Sequence, residues 1–473
     1  MGIEVGAFII PGVSTTTASS DQQVLARRLG PLDGAAIIVS NVIGGGILFT
    51  PPLIAASVPN PILFLSTWLA GGVLAFLGAM AYAELAALRP RAGGEYVYLR
   101  DAYGPLAAFL TGWTSFVAGF SGAMAASAGF LVIYLDRFVP GVADTTPFFV
   151  VPIPFLPMTF SRQTLMAIAV IVAIAFVHVR GVGPGRFVMN VLATLKVAAF
   201  VGFIALGLSF GSGSAANLQQ ATGAVTAGGW MFALIPIMFT YSGWNASAYL
   251  AEEIRNPGRN IPLSLALGTA AVIAIYLLLN VLFLYVMSIG ELAAVRGSVL
   301  DVVADRLLGV RAGDVMGVVS IISLAAGINA YTFAGPRVYF AMARDGVFFR
   351  SAARIHPRYK TPAVSIVAQA AFAILLVLTG SLDALANYVG FAITLFLGLA
   401  VAAVFVLRSR EPDAPRPFKA IGYPVTPAIY VLASAAIVVN AFYTDLRRTL
   451  IGAAIILAGI PLYFFFTRRR GAL

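Results

Sequence analysis

Three consecutive glycines stand inside the stretch Asn41-Val42-Ile43-Gly44-Gly45-Gly46-Ile47-Leu48-Phe49-Thr50-Pro51-Pro52, and the chemistry they offer is that of bare backbone. With no side chains in the way their N–H groups are free to face a ligand, and a half-helix starting near Ile47 would aim its positive dipole end at the gap. A carboxylate fits that environment. A second interruption, Thr240-Tyr241-Ser242-Gly243-Trp244-Asn245, leaves carbonyls unpaired around Ser242-Gly243 at the end of the preceding half-helix, and carbonyls accept from an ammonium. Together the two breaks can hold the carboxylate and the amine common to all amino acids. A lone glycine pair more often serves close helix packing. Two matched breaks in apolar segments favour a ligand.

Other polar groups in apolar surroundings add to this set. Lys196, in Leu192-Ala193-Thr194-Leu195-Lys196-Val197-Ala198-Ala199, is the only Lys or Arg deep in a long apolar segment. Such an ion is costly and usually functional; the alternative is a helix end with a snorkelling side chain. Asn245 and Asn329 either reach a polar part of a ligand or bridge helices by hydrogen bonding, two readings of equal weight.

The elements that must position these groups are membrane-spanning helices. The chain is 473 residues long, 60% hydrophobic and 10% charged, and its mean hydropathy is +0.93. No soluble core absorbs that much apolar surface. A broken backbone in such a segment is tolerated only beside a cavity. The 47 Gly, 34 Phe and 17 Tyr suit close helix packing and ring anchoring at the headgroups. The absence of Cys excludes disulfides, thiolate metal sites and a cysteine nucleophile, and His178 and His356 are too few for a histidine metal cluster. No metal, cofactor or catalytic residue is expected.

Windows of about 20 apolar residues predict roughly twelve spans. The first runs from Pro31 to Ser57, the third from Tyr103 to Phe138, the sixth from Trp230 to Glu253, the eighth from Met316 to Ala343 and the tenth from Leu382 to Leu407. The third exceeds what a perpendicular helix requires, so it tilts or extends beyond the bilayer. With both termini cytoplasmic, that side collects twenty-two of the 30 Lys and Arg and the other side seven, which fixes the orientation. The net charge of +11 is thus spread through loops facing anionic lipid, with no nucleic acid implied. Ala7 to Pro11 is too short an apolar run for a signal peptide, and Ser14 to Gln23 reads as part of a disordered tail.

Glu84, Glu252 and Glu253 lie near Arg89, Arg255 and Arg259 toward cytoplasmic helix ends, where ion pairs latching an inner gate and plain solvation are equally plausible. No Asp or Glu falls in the middle of the third, sixth, eighth or tenth span, so a cationic ligand would lack a counter-ion and a neutral one is favoured. An intramembrane enzyme such as a lipid-linked transferase would want clustered acids for a metal, or a nucleophile beside a His, and the spans hold neither. No GxxxxGK[ST] loop marks an ATP site. Discontinuous helices fit alternating access better than a channel.

Gly44-Gly45-Gly46-Ile47 is similar to the Gly-Ser-Gly-Ile motif in the first helix of the amino acid–polyamine–organocation superfamily, with Gly45 replacing the usual Ser. Further matches are Pro90-Arg91-Ala92-Gly93-Gly94-Glu95-Tyr96-Val97-Tyr98-Leu99-Arg100, Phe239-Thr240-Tyr241-Ser242-Gly243-Trp244-Asn245, Glu252-Glu253-Ile254-Arg255-Asn256-Pro257 and Pro336-Arg337-Val338-Tyr339-Phe340-Ala341. They run in order through nearly the whole chain and resemble the L-type branch most. The resemblance implies an all-α integral membrane protein of the leucine-transporter fold, with about 12 transmembrane helices of which the first and sixth are discontinuous. Its parts would be a cytoplasmic tail over 1–30, a five-helix repeat over 31–210, an inverted repeat over 211–407, two helices over 408–466 and a tail over 467–473.

The same resemblance implies a multi-pass permease of the cell membrane, not an enzyme, moving neutral L-amino acids by sodium-independent exchange or proton-coupled uptake; cationic amino acids or polyamines are the alternative. Val42, Gly44, Gly45, Gly46 and Ile47 would contact the substrate carboxylate, and Phe239, Thr240 and Ser242 would offer carbonyls to its amine. Phe239 would also lie over the substrate as an outer gate. Lys196 would occupy the place of a cation site, bridging the first helix to the eighth with Ser323 as partner, its ammonium standing in for sodium; a dry amine is also a candidate proton carrier. Eukaryotic L-type relatives are joined to a glycoprotein by a disulfide. A chain without Cys is expected to have no disulfide-linked accessory subunit.

Overall fold

The computed structural model describes residues 25–153, 157–296, 298–309, 312–379, 382–444 and 446–468. Most of the expected N-terminal tail, residues 1–24, and most of the C-terminal tail, residues 469–473, lie outside the described residues.

Proline and short polar side chains set the first helix starts. Pro31 opens α1 (Pro31–Val42), where the Asp33 carboxylate accepts from the Gly30 amide at 2.8 Å. After α2 (Gly45–Ser57), Pro61 opens α3 (Pro61–Leu88), capped by Asn60 Oδ1 accepting from the Leu63 amide at 3.1 Å. A short polar helix, α4 (Glu95–Tyr103), precedes a long span built of α5 (Pro105–Thr114), a π-helical turn at Ser115–Gly119, and α6 (Phe120–Leu135). A hairpin of β1 (Phe149–Val151) and β2 (Met158–Phe160), with Phe149 opposite Phe160, leads into α7 (Arg162–Val179) and α8 (Val182–Phe210). There follow α9 (Ala227–Thr240), α10 (Pro257–Val286), the short α11 (Ile289–Ala294) and α12 (Val299–Leu308), and α13 (Ala312–Arg344). The chain closes with α14 (Ala363–Leu378), α15 (Leu382–Arg410), α16 (Val425–Thr444), α17 (Leu446–Leu457) and α18 (Gly459–Arg468).

Among the described residues nine helices are long and apolar enough to cross a bilayer, or ten when the bent pair α1 and α2 counts as one span. Two further apolar helices, α9 and α14, have 14 and 16 residues and are too short to count by length alone. The protein is therefore an all-helical, multi-pass membrane protein.

Both interruptions read from the glycines are present. Ile43 leaves the helix with φ −74° and ψ 96°, and α2 departs from α1 at 51°. The sixth apolar segment does not resume as an α-helix. It ends at Thr240, passes a turn through Asn245 and continues as a 3-10 helix over Ala246–Leu250. Gly243 sits at φ +105°, a left-handed value that stops helix propagation. α1 packs on α10, α8 and α13, while α2 packs on α9 and α11, so the two halves of the first span are anchored to different neighbours.

At the end of the bundle that holds the loop between α3 and α4, buried ion pairs replace those expected between sequence neighbours. Glu253 pairs with Arg337 at 2.8 Å, Glu252 with Arg344 at 3.0 Å, and Glu84 with Arg408 at 2.6 Å. Arg89 instead binds Asp101 and Glu411. Residues adjacent at a helix end point in different directions, whereas helices arriving from distant parts of the chain put opposite charges face to face. Arg337 is 1% exposed inside α13, so Lys196 is not the only deeply buried cation.

Candidate substrate cavity

The broken ends meet through their own backbone and a few polar side chains. Asn41 donates its amide to the Gly243 carbonyl at 3.4 Å, and the hydroxyls of Thr50 and Thr240 lie 2.9 Å apart. The Tyr276 hydroxyl of α10 stands between the carbonyls of Val42, at 2.9 Å, and Thr240, at 3.3 Å. Lys196 Nζ donates to the carbonyls of Ser40 at 3.2 Å and Ile43 at 2.5 Å, and Ser323 Oγ of α13 donates to that same Ile43 carbonyl at 3.1 Å. The last carbonyls of α1, orphaned by the break, thus find donors on α8, α10 and α13. Lys196 is fully buried and is joined to the eighth apolar span by the Ile43 carbonyl it shares with Ser323.

With the carbonyls satisfied from outside, the amide ends remain on the inside. A cavity of about 350 Å³ opens between α1, α2, α6, α9, α13 and α15. Val42, Gly44, Gly45, Gly46, Phe239, Thr240, Ser242, Gly243 and Asn245 all line it. The first amides of α2 have no partner within their helix and carry its positive dipole end, a suitable seat for a carboxylate. The end of α9 presents the opposite pole to the same space. The Phe239 carbonyl already accepts from the Ser242 amide at 3.0 Å and retains a second lone pair. Phe239 is 44% exposed and stands at the cavity wall in this conformation.

Two expected contact residues are placed elsewhere. Ile47 is 1% exposed, lies in the hydrophobic core and does not line the cavity, because α2 turns that face toward its helix neighbours. Asn329 is buried away from the cavity, where its Oδ1 accepts from His178 Nε2 of α7 at 2.8 Å. It bridges helices. Asn245, weighed equally with it, does line the cavity.

The three glycines are not equivalent. A Cβ on Gly44 would meet nothing within 4 Å, and one on Gly45 only the Phe49 ring at 3.9 Å. A Cβ on Gly46 would come within 2.8 Å of Thr240 Cγ2, so Gly46 sets how closely α2 approaches α9. At Gly243 both the positive φ and Asn41 Nδ2, 2.8 Å from an added Cβ, exclude a side chain.

The remaining lining is mostly apolar, with Phe130, Leu324, Ile393 and Phe396, and Ser127 and Tyr331 add hydroxyls. Among the described residues one acid lines the cavity, Glu95, which the reading of the spans missed because it lies on α4. The only sequence signal was its place after Gly93-Gly94, both at positive φ, which swing α4 back under the cavity. Tyr249 donates its hydroxyl to Glu95 Oε1 at 2.7 Å, and Asn245 Nδ2 lies 2.9 Å from the Tyr249 oxygen and 3.4 Å from Glu95 Oε2. Burial holds the Glu95 carboxyl up at about 7, above the usual carboxylate range.

Residues 29–466 match the amino acid permease family. The chain is 30% identical to the mouse large neutral amino acids transporter small subunit 2 over 454 residues, covering 93% of this chain and 81% of that protein. It is 30% identical to the mouse b(0,+)-type amino acid transporter 1 over 464 residues, or 96% of this chain and 90% of that one. The serine/threonine exchanger SteT of Bacillus subtilis is 26% identical over 453 residues, 95% and 98% of the two chains. A multi-pass bundle with a cavity at two backbone breaks, matched over almost its whole length, is a permease rather than an enzyme, and the chain belongs to the amino acid permease family.

Proposed function

We propose that this permease moves neutral L-amino acids across the cell membrane by alternating access, with both termini in the cytoplasm. The observation that carries the reading is the convergence of an N-terminal helix end at Gly44–Gly46 and a C-terminal one at Thr240 on one cavity whose remaining lining is mostly apolar. The amides suit a carboxylate, the carbonyls an ammonium, and the apolar wall an uncharged side chain. The relatives' names, referring to large neutral amino acids and to serine and threonine, support the same class.

In this reading α9 and α14 count as spans and the total is twelve, in the leucine-transporter arrangement of two inverted five-helix repeats, 31–210 and 211–407, followed by two helices. The positive-inside bias places the ion-paired end in the cytoplasm. We take the ion pairs there, Glu253 with Arg337 and Glu252 with Arg344, to hold that end closed. Without Cys the chain has no thiol for a disulfide-linked partner, and we take it to work without one.

Uptake of radiolabelled amino acids into liposomes containing the purified protein tests this, and stimulation by internal amino acid separates exchange from net transport. Liposomes that take up none of the twenty would end the reading. Because Lys196 Nζ already holds the Ser40 and Ile43 carbonyls that a sodium ion would otherwise bind, uptake is expected to persist when all sodium is replaced by N-methyl-D-glucamine. Flux that collapses in that buffer would remove the role given to Lys196.

Gly46→Val is expected to weaken equilibrium binding at least tenfold, about 1.4 kcal/mol. Its branched side chain meets Thr240 and pushes α2 off α9, which separates the two halves of the site. Gly45→Val should act less, since the space beside Gly45 is open. Wild-type affinity in the purified Gly46→Val protein would show that the close approach does not matter.

A further inference from the structure

We propose that Glu95, at the floor of the cavity, binds a proton together with the substrate and releases it when the cytoplasmic end opens, so that uptake is proton-coupled. The inference rests on the transport reading above and adds to it the coupling ion and the residue that carries it.

The surroundings of Glu95 are unusual for a carboxyl group. Three glutamates buried at this end of the bundle each have a guanidinium within 3.0 Å: Glu84 has Arg408, Glu252 has Arg344 and Glu253 has Arg337. Glu95 is 6% exposed and among the described residues has no basic group against it. It is faced by Tyr82 from α3, by Tyr98 of its own helix, and by Asn245 and Tyr249 of the broken sixth segment; Tyr339 of α13 stands behind Tyr249. All of these are uncharged. A lone carboxylate in such a place is costly and neutralises itself by taking up a proton.

Three geometric facts make that proton part of transport. Glu95 lines the same cavity as the broken helix ends, so a proton reaches it by the route the substrate takes. Asn245 links it to the turn that forms one half of the site, so the protonation of Glu95 and the position of that turn affect each other. Glu95 also sits beside the loop that the latch holds, since Glu252 Oε2 accepts from the Ala92 amide at 3.1 Å, and opening that end admits water to the floor of the cavity. Hydration lowers the affinity of a carboxyl for its proton, which then leaves on the cytoplasmic side. No bond other than Oε–H is made or broken: the proton enters from one face and leaves at the other, and the carboxylate is restored for the next cycle.

The sign follows from the raised value of about 7. The closed-floor conformation holds the proton more tightly than an open, hydrated one, so acid favours the loaded, substrate-ready state and alkali the released one. For one carboxyl titrating near neutrality, the loaded fraction falls about tenfold between pH 6 and pH 8.

The test uses the full-length protein in liposomes holding a trapped pH dye, with whichever of the twenty labelled L-amino acids the vesicles take up. Uptake by the wild type is expected to acidify the lumen and to fall about tenfold as the outer pH rises from 6 to 8. Glu95→Gln, which keeps an oxygen for Tyr249 but has no titratable proton, is expected to show no acidification and a flat pH profile. Tyr249→Phe removes a donor that favours the carboxylate, so its profile should shift to higher pH, an effect that loss of packing would not produce. Labelled uptake without any dye signal in the wild type would overturn the inference while leaving the transport reading intact. Persistent acidification in Glu95→Gln would place the proton on another group, Lys196 first. Vesicles that neither take up label nor acidify would overturn the transport reading and the inference with it.

Discussion

Arg337→Leu is expected to destabilise the protein by about 3–5 kcal/mol, the cost typical of removing one partner from a buried pair. Arg337 and Glu253 are each 1% exposed, and the guanidinium makes two hydrogen bonds to the carboxylate, at 2.8 and 3.3 Å, while lying 4.5 Å from the Phe333 ring centre. Loss of the arginine leaves a carboxylate with neither water nor cation. The double variant Glu253→Leu with Arg337→Leu removes both charges and should recover most of the loss, because the penalty comes from the unpaired ion and not from the missing attraction. Thermal unfolding of the purified proteins in detergent, followed by circular dichroism, checks both. A single variant as stable as the wild type would mean that the pair contributes little and that Glu253 is accommodated without Arg337.

Lys196→Ala is expected to impair transport far more than substrate binding. The lysine does not line the cavity; it holds the Ser40 and Ile43 carbonyls at the hinge where α1 departs from α2. Its removal strips a buried acceptor of its donor, at about 1–3 kcal/mol, although Ser323 still serves the Ile43 carbonyl. If the conformation so destabilised lies on the rate-limiting path, about 1.4 kcal/mol slows cycling tenfold. Equilibrium binding and liposome flux measured on the same purified variant separate the alternatives. Equal losses in both would move Lys196 into the substrate site, and no loss in either would leave it a packing residue.

The sequence by itself determined the solvent, the class and the places where the backbone breaks. Lipid permits uncharged spans and little else, so composition alone led to a helical membrane protein. Glycine is the residue that allows an interrupted helix beside a cavity, so Gly44–Gly46 and Gly243 marked the two breaks that line the cavity before any helix was placed. Lys196 stood out for the same reason, as an ion where lipid forbids one.

What only the tertiary structure decided is which side of each helix faces what. Ile47 and Asn329 share helices with site residues, yet one is turned into the core and the other toward His178. Spacing along a chain does not say which face a neighbouring helix will cover. The ion pairs follow the same rule, since Glu84 finds Arg408 and not nearby Arg89. Glu95 shows it most clearly: it belongs to a short polar helix that hydropathy assigns to a loop, and two glycines at positive φ bring it beneath the cavity. Local sequence sets the cost of each break and each buried charge, but the partner that offsets that cost comes from a distant part of the chain, and only the packed bundle identifies it.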